Sequence, residues 1–501
     1  MLNKIVEKIL RSSVYDIITE TPLQKLALAS SRTNNNVYLK REDLQPVFSF
    51  KIRGAYNKIS SILKTEKIEE VVTSSAGNHA QGVALSAKKL NLKATIVMPK
   101  TTPSIKVSAV KALGSTVILH GDSYDESFEF ASKYAKTKNI TFIHPYDDEE
   151  VIAGQGTIGM EIMRQKKEKI DAVFIPIGGG GLIAGVSAYL KFVDPSIKII
   201  GVEPEDSPAL YNSLKSGKRE ILEHVGIFAD GVAVKQIGKE PYKLLTHTVD
   251  DVILVTTDEI CSSIKDIFDD TRSIAEPSGA LALAGLKKYA QSKKNQTYVA
   301  INSGANINFD RLRHVSERTE IGENKEGLFA VTIPEKAGSF NKFCNSLGNR
   351  SITEFNYRYA DSKNAHIFVG IELTNGSSER LELMKLFDSS NFKAQDLSDN
   401  ELAKIHIRHM VGGKTNNLED EKIYRFQFPE RPGALLTFLK QLGDNWNISL
   451  FHYRNHGAAY GRVLAGIQVP NPDSEKFETF LKSTGFFTKN ESNNPAYKLF
   501  L

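Results

Sequence analysis

The chain has 501 residues and a formal net charge of +5 from 64 basic and 59 acidic side chains; 41% of it is hydrophobic and 25% charged. That length asks for more than one domain, the nearly balanced charge leaves no basic footprint for nucleic acid, and no apolar run reaches the roughly 20 residues of a membrane-spanning helix. The two cysteines, Cys261 and Cys344, lack metal-ligand spacing and read as small core residues of a cytoplasmic protein without a metal site.

Residues 1–10 are amphipathic at helical spacing and include Glu7, so they predict a helix packed on the body or on a neighbour, not a secretory signal. Residues 49–55 read Ser-Phe-Lys-Ile-Arg-Gly-Ala and place Lys51 between two apolar residues, just before a helix. A lysine amine walled by apolar groups has a depressed pKa and can form a Schiff base, although a lone lysine more often lies at the surface with its stem on the core. Residues 71–82 run from a strand end through Ser74-Ser75-Ala76-Gly77-Asn78-His79 into a helix. Such a turn offers several N–H groups to a carboxylate; taken alone, an ordinary helix N-cap by Ser or Asn is the better reading.

Strand-like runs follow at 94–99 and 116–119, and a buried strand at 172–177 leads into Gly178-Gly179-Gly180-Gly181-Leu182 at the start of a helix. Glycines there let successive N–H groups and the helix dipole approach a phosphate. The pattern is not Gly-x-Gly-x-x-Gly, which disfavours a dinucleotide, and no Walker-type lysine is present. Further strands at 199–203 and 252–255 alternate with helical stretches such as 81–90, predicting α/β architecture with ligands gathered at strand C-terminal ends.

Beyond a polar stretch at 321–327 lies an internal repeat. Pro334 and Pro429, Gly338 and Gly433, and Leu347 and Leu442 are each 95 residues apart; Tyr357-Arg358 and Tyr453-Arg454 are 96 apart, which one insertion near 444–447 explains. Each copy reads strand, Pro-Glu-x-x-Gly turn, helix, strand, strand, helix, the order of a ferredoxin-like βαββαβ unit.

A reactive amine, a phosphate cup and an anion loop are together what a pyridoxal 5′-phosphate enzyme acting on an amino acid needs. Residues 49–55, 74–82, 178–181, 275–280 and 303–306 resemble the threonine ammonia-lyase (threonine dehydratase) family in its long, biosynthetic, allosterically regulated form, and the resemblance spans essentially the whole chain. It implies a two-lobed, tryptophan synthase β-like catalytic domain (fold type II) over 1–322, a linker at 323–327, and ACT-like regulatory subdomains at 328–410 and 423–501. It also implies that Lys51 holds the cofactor and acts as base at Cα. Gly178 to Gly181 with Leu182 would take the phosphate, Asn78 the ring 3-oxygen, and Ser303 the pyridine nitrogen. Ser75, Ala76, Gly77 and His79 would form the carboxylate loop, and residues 154–157 and Glu276 the pocket walls.

The implied reaction is L-threonine to 2-oxobutanoate and ammonia, feeding isoleucine biosynthesis, with L-serine a weaker substrate and the cofactor phosphate as the acid for the leaving hydroxyl. In the related serine racemases a serine precedes the Gly-Asn pair; Ala76 stands there, so elimination without racemisation is expected. Tyr357, Arg358, Tyr453 and Arg454 are the candidate effector contacts, with isoleucine as inhibitor and valine as antagonist, in a homotetramer. The alternatives are an L-serine dehydratase, another lyase or racemase on this scaffold, or a catalytically silent amino-acid sensor.

Overall fold

The computed structural model describes residues 2–334, 339–348, 350, 352–357, 363–409, 419–429, 446–454 and 460–501. The chain divides into two compact units, residues 1–311 and 312–501.

The first unit holds two sheets. Strands β1 (Leu23–Lys25), β2 (Asn36–Arg41), β7 (Ala172–Pro176), β8 (Lys198–Pro204), β9 (Asp251–Val255) and β10 (Thr297–Asn302) form a six-stranded sheet in the order β1-β2-β10-β7-β8-β9. Only β1 is antiparallel to its neighbour. Strands β3 (Glu70–Ser74), β4 (Lys93–Met98), β5 (Thr116–Leu119) and β6 (Thr141–Phe142) form a smaller parallel sheet, β5-β4-β3-β6. Every residue of β7 is buried, as expected for a parallel strand covered on both faces. The Leu2–Leu10 helix buries Ile5 and Ile9 in the large-lobe core with Ile152, Ile158 and Ile183, as its apolar stripe predicts. Two helices start as capping boxes legible in sequence, Ser123 with Glu126 and Thr256 with Glu259.

The Lys51–Leu63 helix crosses the Glu149–Gln165 helix with backbones almost touching. A Cβ on Gly54 would lie 2.7 Å from the Val151 carbonyl oxygen, and one on Gly154 2.6 Å from that of Arg53. Only glycine permits this approach, and the Gly54 N–H donates to Gln155 Oε1 at 3.1 Å across it.

In the second unit β11 (Glu326–Pro334), β12 (Ile352–Tyr357), β13 (Asn364–Glu372) and β14 (Lys393–Asp396) form an antiparallel sheet ordered β12-β13-β11-β14. Strands β15 (Glu421–Pro429), β16 (Asn447–Arg454), β17 (Tyr460–Gln468) and β18 (Phe487–Asn490) repeat it as β16-β17-β15-β18. Both are ferredoxin-like sheets. Alternation along the strands separates two cores. Phe329, Val331, Ile367 and Val369 face the first copy's own helices, whereas Leu328, Ala330 and Phe368 share a cluster with Ile423, Leu464 and Ala496 of the second copy. The Pro-Glu-x-x-Gly turns beyond Pro334 and Pro429, Arg358, and the first helix of the second copy lie outside the described residues. Among the described residues no helix is long and apolar enough to cross a membrane, and no cluster of three or more His, Cys, Asp or Glu could hold a metal ion.

Candidate active site

Strands β7 and β10 are parallel neighbours, so the turns leaving their C-terminal ends lie side by side. One is the glycine run and the other is Ser303-Gly304. Ser49 forms an antiparallel bridge with Gly304, and the Phe50 N–H donates to the Ser303 carbonyl oxygen at 3.2 Å. This short pairing delivers Lys51, the first residue of its helix, to the same strand ends. The Lys51 amine donates to the Pro145 carbonyl oxygen at 3.1 Å and lies 5.3 Å from the Phe50 ring centroid. Burial lowers its pKa from 10.5 to about 8, against the opposing charge of Glu276. The amine is thus a usable nucleophile and base near neutral pH.

Beneath Lys51, Arg53 is fully buried and spends all its guanidinium N–H groups. Nε and Nη2 donate to Glu42 at 2.7 and 2.8 Å, Nη1 and Nη2 to Glu161 at 2.6 and 2.9 Å, and Nη1 to Thr157 at 3.0 Å. Lys40, also buried, reaches Glu161 at 2.6 Å and completes a neutral quartet of two cations and two carboxylates.

Gly180 has φ of +92°, a left-handed conformation, and caps the Gly181–Val193 helix. A Cβ on Gly179 would fall 2.3 Å from the Tyr146 ring, one on Gly181 3.1 Å from Tyr146 Cβ, and one on Gly178 3.0 Å from Val232 Cα. The turn is therefore a bare-backbone cradle walled by Tyr146 and Val232, opening on a helix N-terminus suited to a phosphate.

From the small lobe comes Asn78, the first residue of its helix. Gly77 occupies the cap position and no side-chain cap is made, so the cap role allowed for Asn78 is not realised. Its side chain instead reaches across the cleft. Asn78 Nδ2 donates to Glu276 Oε1 at 2.6 Å, and Asn306 Nδ2 donates to Asn78 Oδ1 at 2.7 Å and to the Val47 carbonyl at 2.8 Å. Burial first, then the Asp230 charge, pushes the Glu276 carboxyl up to about 7. In the carboxylate loop the Ser75 N–H donates to Val97 O at 3.1 Å, extending the β3–β4 ladder, and the Gly77 N–H donates to Ser75 Oγ at 3.2 Å. Ala76 and the first helical turn, Asn78 and His79, carry the remaining N–H groups that an anion could use. His79 Nε2 is tied to the Ile143 carbonyl at 3.1 Å; burial and the nearby Lys51 lower its pKa to about 3, so the ring is neutral.

Ser303 is buried, and its Oγ donates to the Ser278 carbonyl at 3.2 Å. The buried hydroxyls of Ser49 and Ser278 have no hydrogen-bond partner. A buried low-pKa amine, a cradle that Cβ atoms would fill, and orphaned hydroxyls around it fit pyridoxal phosphate. Sequence reasoning placed Lys51, Ser303, Asn78 and the glycine run here, and the fold brings them together. It took Glu276 for a wall and passed over Asn306, Tyr146, Val232 and the Arg53 quartet. Arg53 stood inside the quoted heptad, but a charged residue two positions from Lys51 gives no sign in sequence of being buried.

The family model described as "Pyridoxal-phosphate dependent enzyme" matches residues 14–304, and "C-terminal regulatory domain of Threonine dehydratase" matches 317–407 and 412–501. The chain is 54% identical over 501 residues to a biosynthetic L-threonine dehydratase of Burkholderia multivorans, covering 99% of each. It is 50% identical to that of Escherichia coli, covering 98% of this chain and 96% of the relative. It also resembles the solved structure of the processed form of threonine deaminase isoform 2 from Solanum lycopersicum, at 48% identity and a TM-score of 0.62 over 63% of this chain and 92% of that one. Serine racemase from Dictyostelium discoideum is more distant, 34% identical with a TM-score of 0.57 over 62% of this chain and 99% of that one.

Proposed function

The chain belongs to the pyridoxal-phosphate-dependent biosynthetic threonine dehydratases with a C-terminal regulatory domain, and from that membership we propose how its own residues divide the work. The reaction is the deamination of L-threonine to 2-oxobutanoate and ammonia, a lyase step that feeds isoleucine biosynthesis.

Bound pyridoxal phosphate supplies an electron sink conjugated to the substrate nitrogen, which makes loss of the Cα proton feasible. Lys51 would anchor the cofactor, and its amine would serve as the base that takes that proton. Burial keeps enough of the amine neutral for this at pH 7–8. The N–H groups of Gly178 to Gly181 and Leu182 hold the phosphate at the helix N-terminus. Ser303 would face the pyridine nitrogen, and a hydroxyl donating to that nitrogen would leave it unprotonated, which suits elimination of the β-hydroxyl. Asn78, its amide orientation fixed by Asn306, holds the ring oxygen side. The N–H groups of Ala76, Asn78 and His79 orient the substrate carboxylate, with Ser75 and Gly77 shaping the loop. Glu276 joins this constellation through Asn78.

L-serine, lacking one methyl, reacts more weakly, since a methyl is worth only about 1–3 kcal/mol in such a pocket. Racemisation is absent. Ala76 has no exchangeable proton, so chiral analysis after incubation with L-serine should find no D-serine. Residues 1–322 carry the chemistry and 328–501 the regulation, in a cytoplasmic homotetramer inhibited by isoleucine and relieved by valine.

The observation that carries the site is the Ser49–Gly304 bridge, which sets Lys51 beside Ser303. Lys51→Ala should abolish ketoacid formation from L-threonine and remove the absorption band of the lysine-bound cofactor; near-normal turnover would refute the assignment.

A further inference from the structure

The turn Asp230–Val232, between β8 and β9 of the large lobe, lies against the site. Val232 walls the glycine cradle at Gly178. A Cβ on Gly231 would lie 2.6 Å from Ser278 Oγ and 3.7 Å from Glu276 Oε1. Asp230 faces the small lobe, where Lys106, on the Ser104–Ala112 helix after β4, donates to its Oδ2 at 2.9 Å. Arg311 pairs with Asp230 Oδ1 at 3.2 Å and donates to the Ile227 carbonyl at 3.0 Å. It holds both the carboxylate and the backbone of the loop that presents it. One carboxylate is thus gripped by a large-lobe arginine and a small-lobe lysine.

We propose that Lys106–Asp230 is a clasp across the cleft, with Arg311 fixing its large-lobe half, and that Asp230 is a positioning residue that holds the small lobe's anion loop against the cofactor wall. The inference rests on the site assigned above. Substrate and cofactor together draw on both lobes: the Asn78 loop, which takes the substrate carboxylate, belongs to the small lobe, while Ser303 and the glycine cradle, which take the cofactor, belong to the large one. Clasp and substrate therefore favour the same lobe arrangement. Loss of the clasp lowers the fraction of enzyme ready to bind, which raises KM; saturating substrate restores that arrangement, so kcat is preserved. A residue that merely stabilised the fold would not divide the two constants in this way.

A second ion pair crosses the cleft from the same loop, Lys235 with Asp125 at 3.1 Å, but its side chains are 47% and 63% exposed, against 17% and 41% for Lys106 and Asp230, and among the described residues no second cation like Arg311 joins its carboxylate. Exposed pairs of that kind contribute little, so Lys235 serves as the control.

The test uses full-length holoenzyme. Lys106→Met is expected to raise KM for L-threonine about three- to tenfold with kcat within about twofold. Lys106→Arg should recover most of the loss, and Lys235→Met should leave KM within about 1.5-fold of the parent. Lys106→Met with Asp230→Asn should be no worse than the more impaired single variant. Hydrogen exchange gives a readout independent of turnover. The Ser104–Ala112 helix should exchange faster in Lys106→Met than in the parent, and saturating L-2-aminobutanoate, which has no hydroxyl to eliminate, should erase the difference. An unchanged KM, a loss in kcat matching the change in KM, or equal exchange without ligand would overturn the clasp. Each of these variants keeps Lys51, so a lost cofactor band would count instead against the site assignment.

Discussion

Asn400 donates from its side-chain amide to Asn494 Oδ1 at 3.2 Å, and the two residues, 94 positions apart, hold the same place in successive repeats. Each also caps a short helix: Asn400 Oδ1 accepts from the Ala403 N–H at 3.1 Å and Asn494 Oδ1 from the Ala496 N–H at 2.9 Å. The bonds around them repeat as well. Asp396 and Asn490 accept from the N–H groups of Ser398 and Ser492, whose hydroxyls accept from the N–H groups of Leu328 and Ile423. The local two-fold relation between the subdomains therefore passes between the two asparagines, beside the core that they share.

Replacing either asparagine by alanine should destabilise the second unit by about 1 kcal/mol, the usual worth of a helix cap. The double variant should fall short of the sum, because the caps contact each other. The single tryptophan, Trp446, packs on Phe477 and Phe480 in this unit and reports its unfolding in urea within the full chain. Strict additivity would mean that the inter-repeat bond carries no weight.

What the sequence disclosed and what it hid follow from the range of the forces involved. The β7 strand, the glycine turn and the Leu2–Leu10 helix are written in local periodicity and in residues with restricted backbone choices, so they could be read directly. Repeat spacing disclosed the second unit, although the Asp-x-Ser-x-Asn and Asn-x-Ser-x-Asn segments that join its halves went unread. Glu276, Asn306 and Arg53 are polar residues whose roles depend on partners more than a hundred positions away, such as Asn78, 198 residues from Glu276. No local pattern separates such a buried pair from solvated charges.

Arg53 illustrates the cost of that hidden pairing. Arg53→Met leaves the two buried carboxylates of the quartet with Lys40 as its one remaining cation, and removal of one partner from a buried ion cluster costs about 3–5 kcal/mol. Arg53→Lys should help little, since one ammonium cannot make the forked contacts to Glu42 and Glu161. Arg53→Met combined with Glu42→Gln restores neutrality and should be more stable than Arg53→Met alone. Urea unfolding followed by far-UV circular dichroism decides this; a double variant weaker than the single one would contradict the charge argument.

The Lys51 amine sets a pH signature. Its pKa lies near 8 because burial disfavours the charged form, and Glu276 pulls in the other direction. Only the neutral amine attacks the cofactor aldehyde. Capture of pyridoxal phosphate by apoenzyme should therefore accelerate about tenfold per pH unit below 8 and level off above it. Glu276→Gln removes the negative charge that favours the protonated amine, so the midpoint should move down. Stopped-flow absorbance across pH 6–10 measures it. A midpoint near the ordinary lysine value of 10.5 would show that the amine is not desolvated.

The regulatory unit offers the last test. Tyr357 ends β12 opposite Ile367, and Tyr453 and Arg454 lie on β16 opposite Val463 and Arg462. The second copy thus sets two arginines at facing register positions, and arginine is the residue type that forks onto an α-carboxylate. In the first repeat the position corresponding to Arg462 is His366, which shares a hydrogen bond with Thr332 at 3.0 Å, so the two copies are not equivalent there. The second copy is therefore the better carboxylate site. Isoleucine bound there should lower apparent threonine affinity by about 5- to 150-fold, the range of coupling free energies of 1–3 kcal/mol. Arg454→Ala, distant in sequence from every catalytic residue, should weaken inhibition by isoleucine at least about tenfold, with unchanged kcat in its absence. Threonine saturation curves at increasing isoleucine, with and without valine, provide the measurement. Inhibition of the Arg454→Ala enzyme at the parent's isoleucine concentration would remove this arginine pair from the effector site.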